Sequence, residues 1–275
     1  MIDVTLNTGA AMPQLGFGVW QVPDDDAYTA VKAALEAGYR SIDTARIYEN
    51  EAGTGRALRD SQIPRDELFV TTKLWNSDQG FDETLRAFDA SLERLGLDHV
   101  DLYLIHWPVP EQDKYVDSWK AMERLHAEGR AKAIGLSNFT EKTLGRLLAS
   151  ADVVPAVNQI ELHPHLAQDR MRELGAEHGI ATEAWSPLGQ GKELLGEPVL
   201  TEIGAAHGKS PAQVVLRWHL QRGTIVIPKS VTPSRIKENI DVFDFELSDE
   251  EMGRIGTLDS GSRLGPDPDE MNWLG

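Results

Sequence analysis

Four side chains in this sequence, Asp43, Tyr48, Lys73 and His106, are of types that together could move a proton. Lys73 stands near the end of the apolar run LFVTTKLW, residues 68 to 75. An unpaired buried ammonium is costly, so such a lysine either reaches water along its stem or meets a carboxylate. Asp43, closing the run RSID one predicted strand earlier, can supply that carboxylate. A structural ion pair is the alternative for these two by themselves. Tyr48, five residues beyond Asp43 in TARIYENE, changes the reading. A phenol titrates near roughly pH 10, and a close ammonium favours the phenolate, lowering the pKa toward a range where the hydroxyl can donate and recover a proton. His106 ends the run VDLYLIH just before Trp107 and Pro108 and could donate a hydrogen bond to a carbonyl oxygen. The set suits protonation of an oxygen while another species attacks the attached carbon.

Eight strand-like runs position these groups: 15 to 20, 40 to 43, 68 to 73, 100 to 106, 131 to 137, 156 to 162, 180 to 185 and 224 to 229. Helical patterns lie between them. In ETLRAFDASLERLGL, Leu85, Phe88, Leu92 and Leu95 share a face and Gly96 falls where a C-terminal cap belongs. Gly38, Gly129 and Gly179 mark three further helix ends, and Ser210 with Gln213 forms a capping-box pattern around Pro211. Strand-helix alternation without a linker predicts one α/β domain over residues 1 to 275, a (β/α)8 TIM barrel. An N-terminal hairpin, VTLNTGAAMPQ with its turn near Asn7 to Gly9, is expected to plug the barrel bottom. An extra helix is expected around 248 to 256, followed by an irregular tail.

Chemistry in such barrels gathers where strands end. That edge holds the four residues above and also Ser137, Asn138, Gln159, Trp185, Ser186 and Lys229. Trp20, Trp75 and Trp107 fall beside it and could line an aromatic substrate cleft. The short loop WPVPEQDKY and a modest final loop predict an open pocket for small polar aldehydes and ketones.

Composition sets the outer bounds. Hydrophobic residues at 41% and charged ones at 26% are ordinary for a globular protein, and no apolar run is long enough to span a membrane. A net charge of −17 argues against a general nucleic-acid or anionic-membrane binder. The absence of cysteine excludes disulfides, thiolate catalysis and cysteine-ligated metals. The N-terminus lacks the basic and apolar regions of a signal peptide, so a cytoplasmic location is expected. A monomer is expected as well. The motif HPH at 163 to 165 has no second ligand cluster, and no metal is expected.

A nucleotide site needs a cradle for phosphate. LGFGVWQ carries Gln21 where a dinucleotide fingerprint needs its third glycine, and HGKSP has Ile203 where a phosphate loop needs an earlier one. IPKSVTPSRIKEN is a better anion site: Thr232 can cap a helix that begins at Pro233, with Lys229 and Arg235 beside the free amides.

Across nearly its full length the chain resembles the aldo-keto reductases. GYRSIDTARIYENE is similar to that family's first signature, VTTKLW to its lysine segment and DLYLIHWP to its histidine segment. VPAVNQIELHP, AWSPLGQGK, VLRWHLQ and IPKSVTPSRIKENIDVFDF most resemble the bacterial branch that contains 2,5-diketo-D-gluconate reductases. The resemblance implies that Asp43, Tyr48, Lys73 and His106 form the catalytic tetrad, Tyr48 being the general acid and a nicotinamide the hydride source. It implies that Ser137, Asn138 and Gln159 hold the nicotinamide carboxamide, that Trp185 stacks on the ring, and that Ser186 and Leu188 join the cofactor site. It assigns Lys229, Ser230, Val231, Thr232, Arg235, Glu238 and Asn239 to the adenosine end. Two cations at one helix start suit a ribose 2′-phosphate, which points to NADPH. Glu49 stands where glycine is common, and Thr54 where an aliphatic residue is usual.

The function expected is NADPH-dependent reduction of small dicarbonyls and sugar-derived keto compounds. Two rivals keep the barrel: an aldolase forming a Schiff base on Lys73, and a nucleotide-sensing protein with little turnover.

Overall fold

The computed structural model describes residues 2 to 275. A hairpin of β1 (Asp3–Thr5) and β2 (Ala11–Pro13) precedes eight parallel strands: β3 (Phe17–Gly18), β4 (Ser41–Asp43), β5 (Phe69–Leu74), β6 (Val100–Ile105), β7 (Ala131–Ser137), β8 (Val157–Glu161), β9 (Ala181–Trp185) and β10 (Ile225–Val226). They pair in sequence order from β3 to β10. The sheet closes where Leu15 bridges Val226, with Gly16 N–H donating to Val226 O and Val226 N–H donating to Gln14 O. The result is the (β/α)8 barrel that the alternation predicts. At this seam a Cβ on Gly18 would stand 3.0 Å from Ile227 O, tighter than side chains ordinarily pack.

Helices α1 (Asp24–Ala37), α2 (Glu51–Asp60), α3 (Phe81–Leu95), α4 (Tyr115–Ala127), α5 (Glu141–Leu148) and α6 (Asp169–Glu177) each follow a barrel strand. α7 (Pro198–His207) and α8 (Pro211–Gln221) both lie between β9 and β10, and α9 (Pro233–Ile240) and α10 (Asp249–Gly256) complete the chain. Gly38 and Gly96 adopt the left-handed caps read from sequence, and Ser210 forms its capping box with Gln213. The expected hydrophobic face of α3 buries Phe88, Leu92 and Leu95, while Leu85 is half-covered. Removing the enclosed Phe88 ring to alanine would cost about 3–5 kcal/mol.

Leu6 and Met12 of the hairpin pack against Phe69, Leu102, Ala133 and Val157, inward residues at the barrel bottom. The apolar plug therefore occupies one end. Polar inward residues collect at the other: Asp43, Lys73, His106, Ser137, Gln159 and Glu183, all buried.

β3 and β10 are shorter than the runs that predict them, which covered 15 to 20 and 224 to 229. Pro228 has no N–H to extend a ladder, and residues 227 to 229 line a cleft instead. The first of the two helices between β9 and β10, α7, is an addition that the periodicity did not single out.

Candidate active site

Lys73 is wholly enclosed at the C-terminal end of β5. Its Nζ donates to Asp43 Oδ1 at 2.6 Å, to Thr44 O at 2.9 Å and to Tyr48 Oη at 3.5 Å. An ammonium has three donors and no acceptor, so all three of its hydrogens are engaged and the phenol oxygen can only accept. The Tyr48 proton is thereby free to point into the cleft. Burial alone would lower the Lys73 pKa, but the Asp43 carboxylate foremost outweighs it and holds the amine charged.

Tyr48 closes a 3-10 turn, Arg46–Tyr48, that follows β4. The turn is pinned by buried Asn50, whose Nδ2 donates to Val19 O and Val22 O, both at 2.8 Å, and whose Oδ1 accepts from Thr44 Oγ1 at 2.7 Å. Glu49 adopts a left-handed φ of 56°, which explains why glycine suits that position. Thr54 is buried with its hydroxyl unpartnered, so it fills the space an aliphatic residue would.

The Tyr48 pKa is raised, not lowered: burial pushes it up, Lys73 pulls it down, and Asp43 adds to the rise. The ammonium sits 3.5 Å away and is shared with a carboxylate, so its pull on the phenol is incomplete. A phenol with a raised pKa is fully protonated at neutral pH and competent to give a proton, with Lys73 placed to stabilise the anion left behind.

The His106 ring lies edge-on to Tyr48 with centroids 5.7 Å apart and edge-on to Trp75 at 5.2 Å. Burial, then Lys73, drive its pKa well below the usual imidazole range, so the ring is neutral. Nδ1 is buried without a partner. A bare lone pair is cheaper to bury than a bare N–H there, which leaves the other ring nitrogen to carry the proton.

A cleft of about 1150 Å³ runs from Trp20, Trp75 and Trp107, past Asp43, Tyr48 and His106, to Lys229, Arg235 and Asn239. Ser137, Asn138, Gln159, Trp185, Ser186, Leu188, Ser230, Val231, Thr232 and Glu238 also line it. Every candidate from the sequence reaches this one space except Lys73, which lies directly behind Tyr48.

Asn138 donates to His106 O at 2.9 Å and to Ser137 Oγ at 3.0 Å, and accepts from Trp185 Nε1 at 2.8 Å. The last bond fixes the plane of the indole. Asn138 and Ser186 both hold left-handed φ values, 64° and 49°, just past the ends of β7 and β9, the kind of local strain that marks functional loops. At the far end, Thr232 occupies the N-cap of α9 but its side chain makes no capping bond, contrary to expectation; its own N–H instead donates to Ser230 Oγ at 3.1 Å. The first-turn amides of α9 thus lack a side-chain cap, and Lys229 and Arg235 flank them. Ser230 and Thr232 shape the turn that presents those amides.

Residues 9–260 match the sequence profile of the aldo/keto reductase family. The chain belongs to that family. It is 59% identical over 272 residues to an aldo-keto reductase of Mycolicibacterium smegmatis, spanning 99% of this chain and 98% of that one. It is 52% identical to the methylglyoxal reductase DkgA of Escherichia coli K12, over 98% and 97% of the two chains. Among solved structures, a Gox0644 variant in complex with NADPH superposes with a TM-score of 0.95 at 48% identity, covering 99% of both chains.

The cleft of this aldo/keto reductase is also lined by residues that the sequence did not single out. The irregular tail folds back over the cleft: Leu264, Gly265, Pro266, Met271 and Trp273 line it. Trp75 Nε1 donates to Leu274 O at 2.7 Å, Asn76 Nδ2 donates to Trp273 O at 2.8 Å, and Trp273 packs edge-on to Trp75. Buried Glu161 accepts from the amides of Leu264 at 2.5 Å and Gly265 at 2.9 Å. The tail therefore covers part of a pocket that the modest final loop predicts to be open. Gln190, Gly191 and Lys192, after β9, add a second wall. A tryptophan in an otherwise Pro/Gly/Asp-rich tail was the available signal. His163 and His165 take different partners, Glu161 and Glu197.

Proposed function

We propose that this aldo/keto reductase is an NADPH-dependent carbonyl reductase in which Tyr48 protonates the substrate oxygen. The observation that carries the reading is the three-way coordination of Lys73 Nζ, which leaves the Tyr48 proton as the free acid at the cleft wall. NADPH, when bound, supplies the hydride that the carbonyl carbon receives. The cleft suits that molecule at both ends: Gln159 lines it with an Oε1 that no protein donor among the described residues reaches, and the uncapped start of α9 with Lys229 and Arg235 offers an anion site. Ser137, Asn138 and Gln159 would hold the carboxamide, Trp185 would stack on the ring, and Leu188, Val231, Glu238 and Asn239 would enclose the rest.

The substrate carbonyl would rest between Tyr48 and His106, among Trp20, Trp75 and Trp107. Neutral His106 donates a hydrogen bond to its oxygen and orients it. Tyr48 transfers its proton to that oxygen as charge develops, and the Lys73 ammonium, held by Asp43, stabilises the tyrosinate. The substrates proposed are small dicarbonyls and sugar-derived keto compounds, supported by the similarity to a methylglyoxal reductase. Full burial of Lys73, with every N–H engaged, weighs against a Schiff base on that amine. The test is a carbonyl panel followed by nucleotide absorbance with NADPH and NADH side by side. Turnover with a clear NADPH preference is expected; equal rates with both nucleotides would remove the role given to Lys229 and Arg235.

A further inference from the structure

Behind the tetrad lies a second buried acid that the mechanism above does not use. Glu183 is wholly enclosed at the centre of β9 and sits directly across from Gln159 in the β8 register. Barrel interiors are usually filled by branched aliphatics, and an acid there carries a desolvation cost that an apolar residue would not. Its bonding explains the choice. Glu183 Oε2 accepts from Gln159 Nε2 at 2.7 Å, and the same nitrogen donates to Asp43 Oδ2 at 2.9 Å. A primary amide has two N–H donors, so both of Gln159's end on carboxyl oxygens. No protein donor among the described residues reaches Gln159 Oε1, and Gln159 lines the cleft.

The charge state fits this arrangement. Burial, and then the nearby Asp43 carboxylate, raise the Glu183 carboxyl to about 8. At neutral pH it is therefore uncharged, and the barrel interior keeps one carboxylate, Asp43, for one ammonium, Lys73. Glu183 Oε1 has no partner. Among the described residues, the Glu183 side chain thus makes one hydrogen bond, to Gln159.

We propose that Glu183 is a positioning residue for hydride transfer: with Asp43 it engages both N–H groups of Gln159 and so fixes the amide with Oε1 turned to the nicotinamide carboxamide. The inference rests on the carbonyl-reductase reading, with Gln159 at the nicotinamide end. An acceptor fixed at one place selects one orientation of the carboxamide, and the hydride donor is oriented with it. If Glu183 no longer held it, the Gln159 side chain would keep only its Asp43 bond and could rotate about it.

The experiment compares Glu183→Gln, Glu183→Leu, Gln159→Leu and the Glu183→Leu/Gln159→Leu double variant in the full chain. Affinities for NADPH and for adenosine 2′,5′-bisphosphate, which lacks the nicotinamide, are measured with the single-turnover rate of NADPH oxidation by methylglyoxal. Glu183→Gln keeps an acceptor for Gln159 and is expected within about threefold of wild type. Glu183→Leu is expected to slow hydride transfer and weaken NADPH by about tenfold, the scale of one lost hydrogen bond, while leaving bisphosphate affinity unchanged. In the Gln159→Leu background it should add less than about twofold. Equal weakening of both ligands, or full additivity with Gln159→Leu, would mean a merely structural role and overturn the proposal. A silent Gln159→Leu would instead overturn the placement of the nicotinamide, and the inference with it. Should Glu183→Leu not fold, Glu183→Asp keeps an acid but withdraws it by one methylene, and carries the same expectation.

Discussion

Replacing Lys73 by methionine separates what the lysine does for the fold from what it does for the reaction. The change keeps most of the stem but removes the ammonium from a pair whose side chains are 0% and 3% exposed. Asp43 would retain only the Gln159 amide at 2.9 Å as a donor, having lost the 2.6 Å bond to Nζ. Breaking a buried pair from one side costs about 3–5 kcal/mol, mostly because the remaining charge stays desolvated. For a chain of this size each kcal/mol is worth roughly 2–4 °C, so a drop on the order of 10 °C in midpoint is expected. Adding Asp43→Asn should return most of that loss, because the double variant buries no uncompensated charge. Urea unfolding of the two single variants and the double gives the coupling directly. The reasoning is refuted if Lys73→Met costs under about 1 kcal/mol, or if the double variant is as unstable as the sum of the singles.

Glu183 has a carboxyl raised to about 8 when folded, so the folded state keeps a proton that the unfolded chain loses from about pH 4.5 upward. That contribution is fully present below the lower value and is lost as pH rises through the higher one. Glu183→Gln, which never ionises, should therefore gain stability relative to wild type between about pH 5 and pH 9, by on the order of 3–5 kcal/mol. A pH-independent difference in urea midpoints would contradict it. Gly265→Ala would place a Cβ 2.6 Å from Trp185 Cη2, displacing the indole or the tail. Overpacking of this kind costs about 1–3 kcal/mol, and a several-fold rise in KM for NADPH with altered tryptophan fluorescence is expected; an unchanged spectrum and KM would show that the tail does not bear on the ring.

What the sequence made legible were groups whose chemistry conflicts with their surroundings. Lys73 in an apolar strand and Tyr48 in a polar loop announced themselves by type and place, and the structure brings them to 3.5 Å. The eight strands were legible because their runs are apolar and end at polar residues. Glu183 carried the same kind of signal, an acid inside IATEAW, but nothing in its local run names a partner; Gln159 is adjacent only through the register of β8 and β9. The tail escaped because long-range bonds fold it: carbonyls of Trp273 and Leu274 are held by side chains almost two hundred positions earlier. Thr232 shows the limit of local capping rules. Its residue type and the following proline place the helix start correctly, yet its side chain leaves the first-turn amides uncapped.

The most direct test of the central claim is Tyr48→Phe, with NADPH affinity and single-turnover NADPH oxidation by methylglyoxal measured on the same preparation. The loss of one hydroxyl from a partly exposed ring should leave folding and NADPH binding near wild type and slow the chemical step by roughly 10²–10⁴-fold, the usual worth of a positioned general acid. A variant that oxidises NADPH within about threefold of the wild-type rate would show that the proton comes from another group.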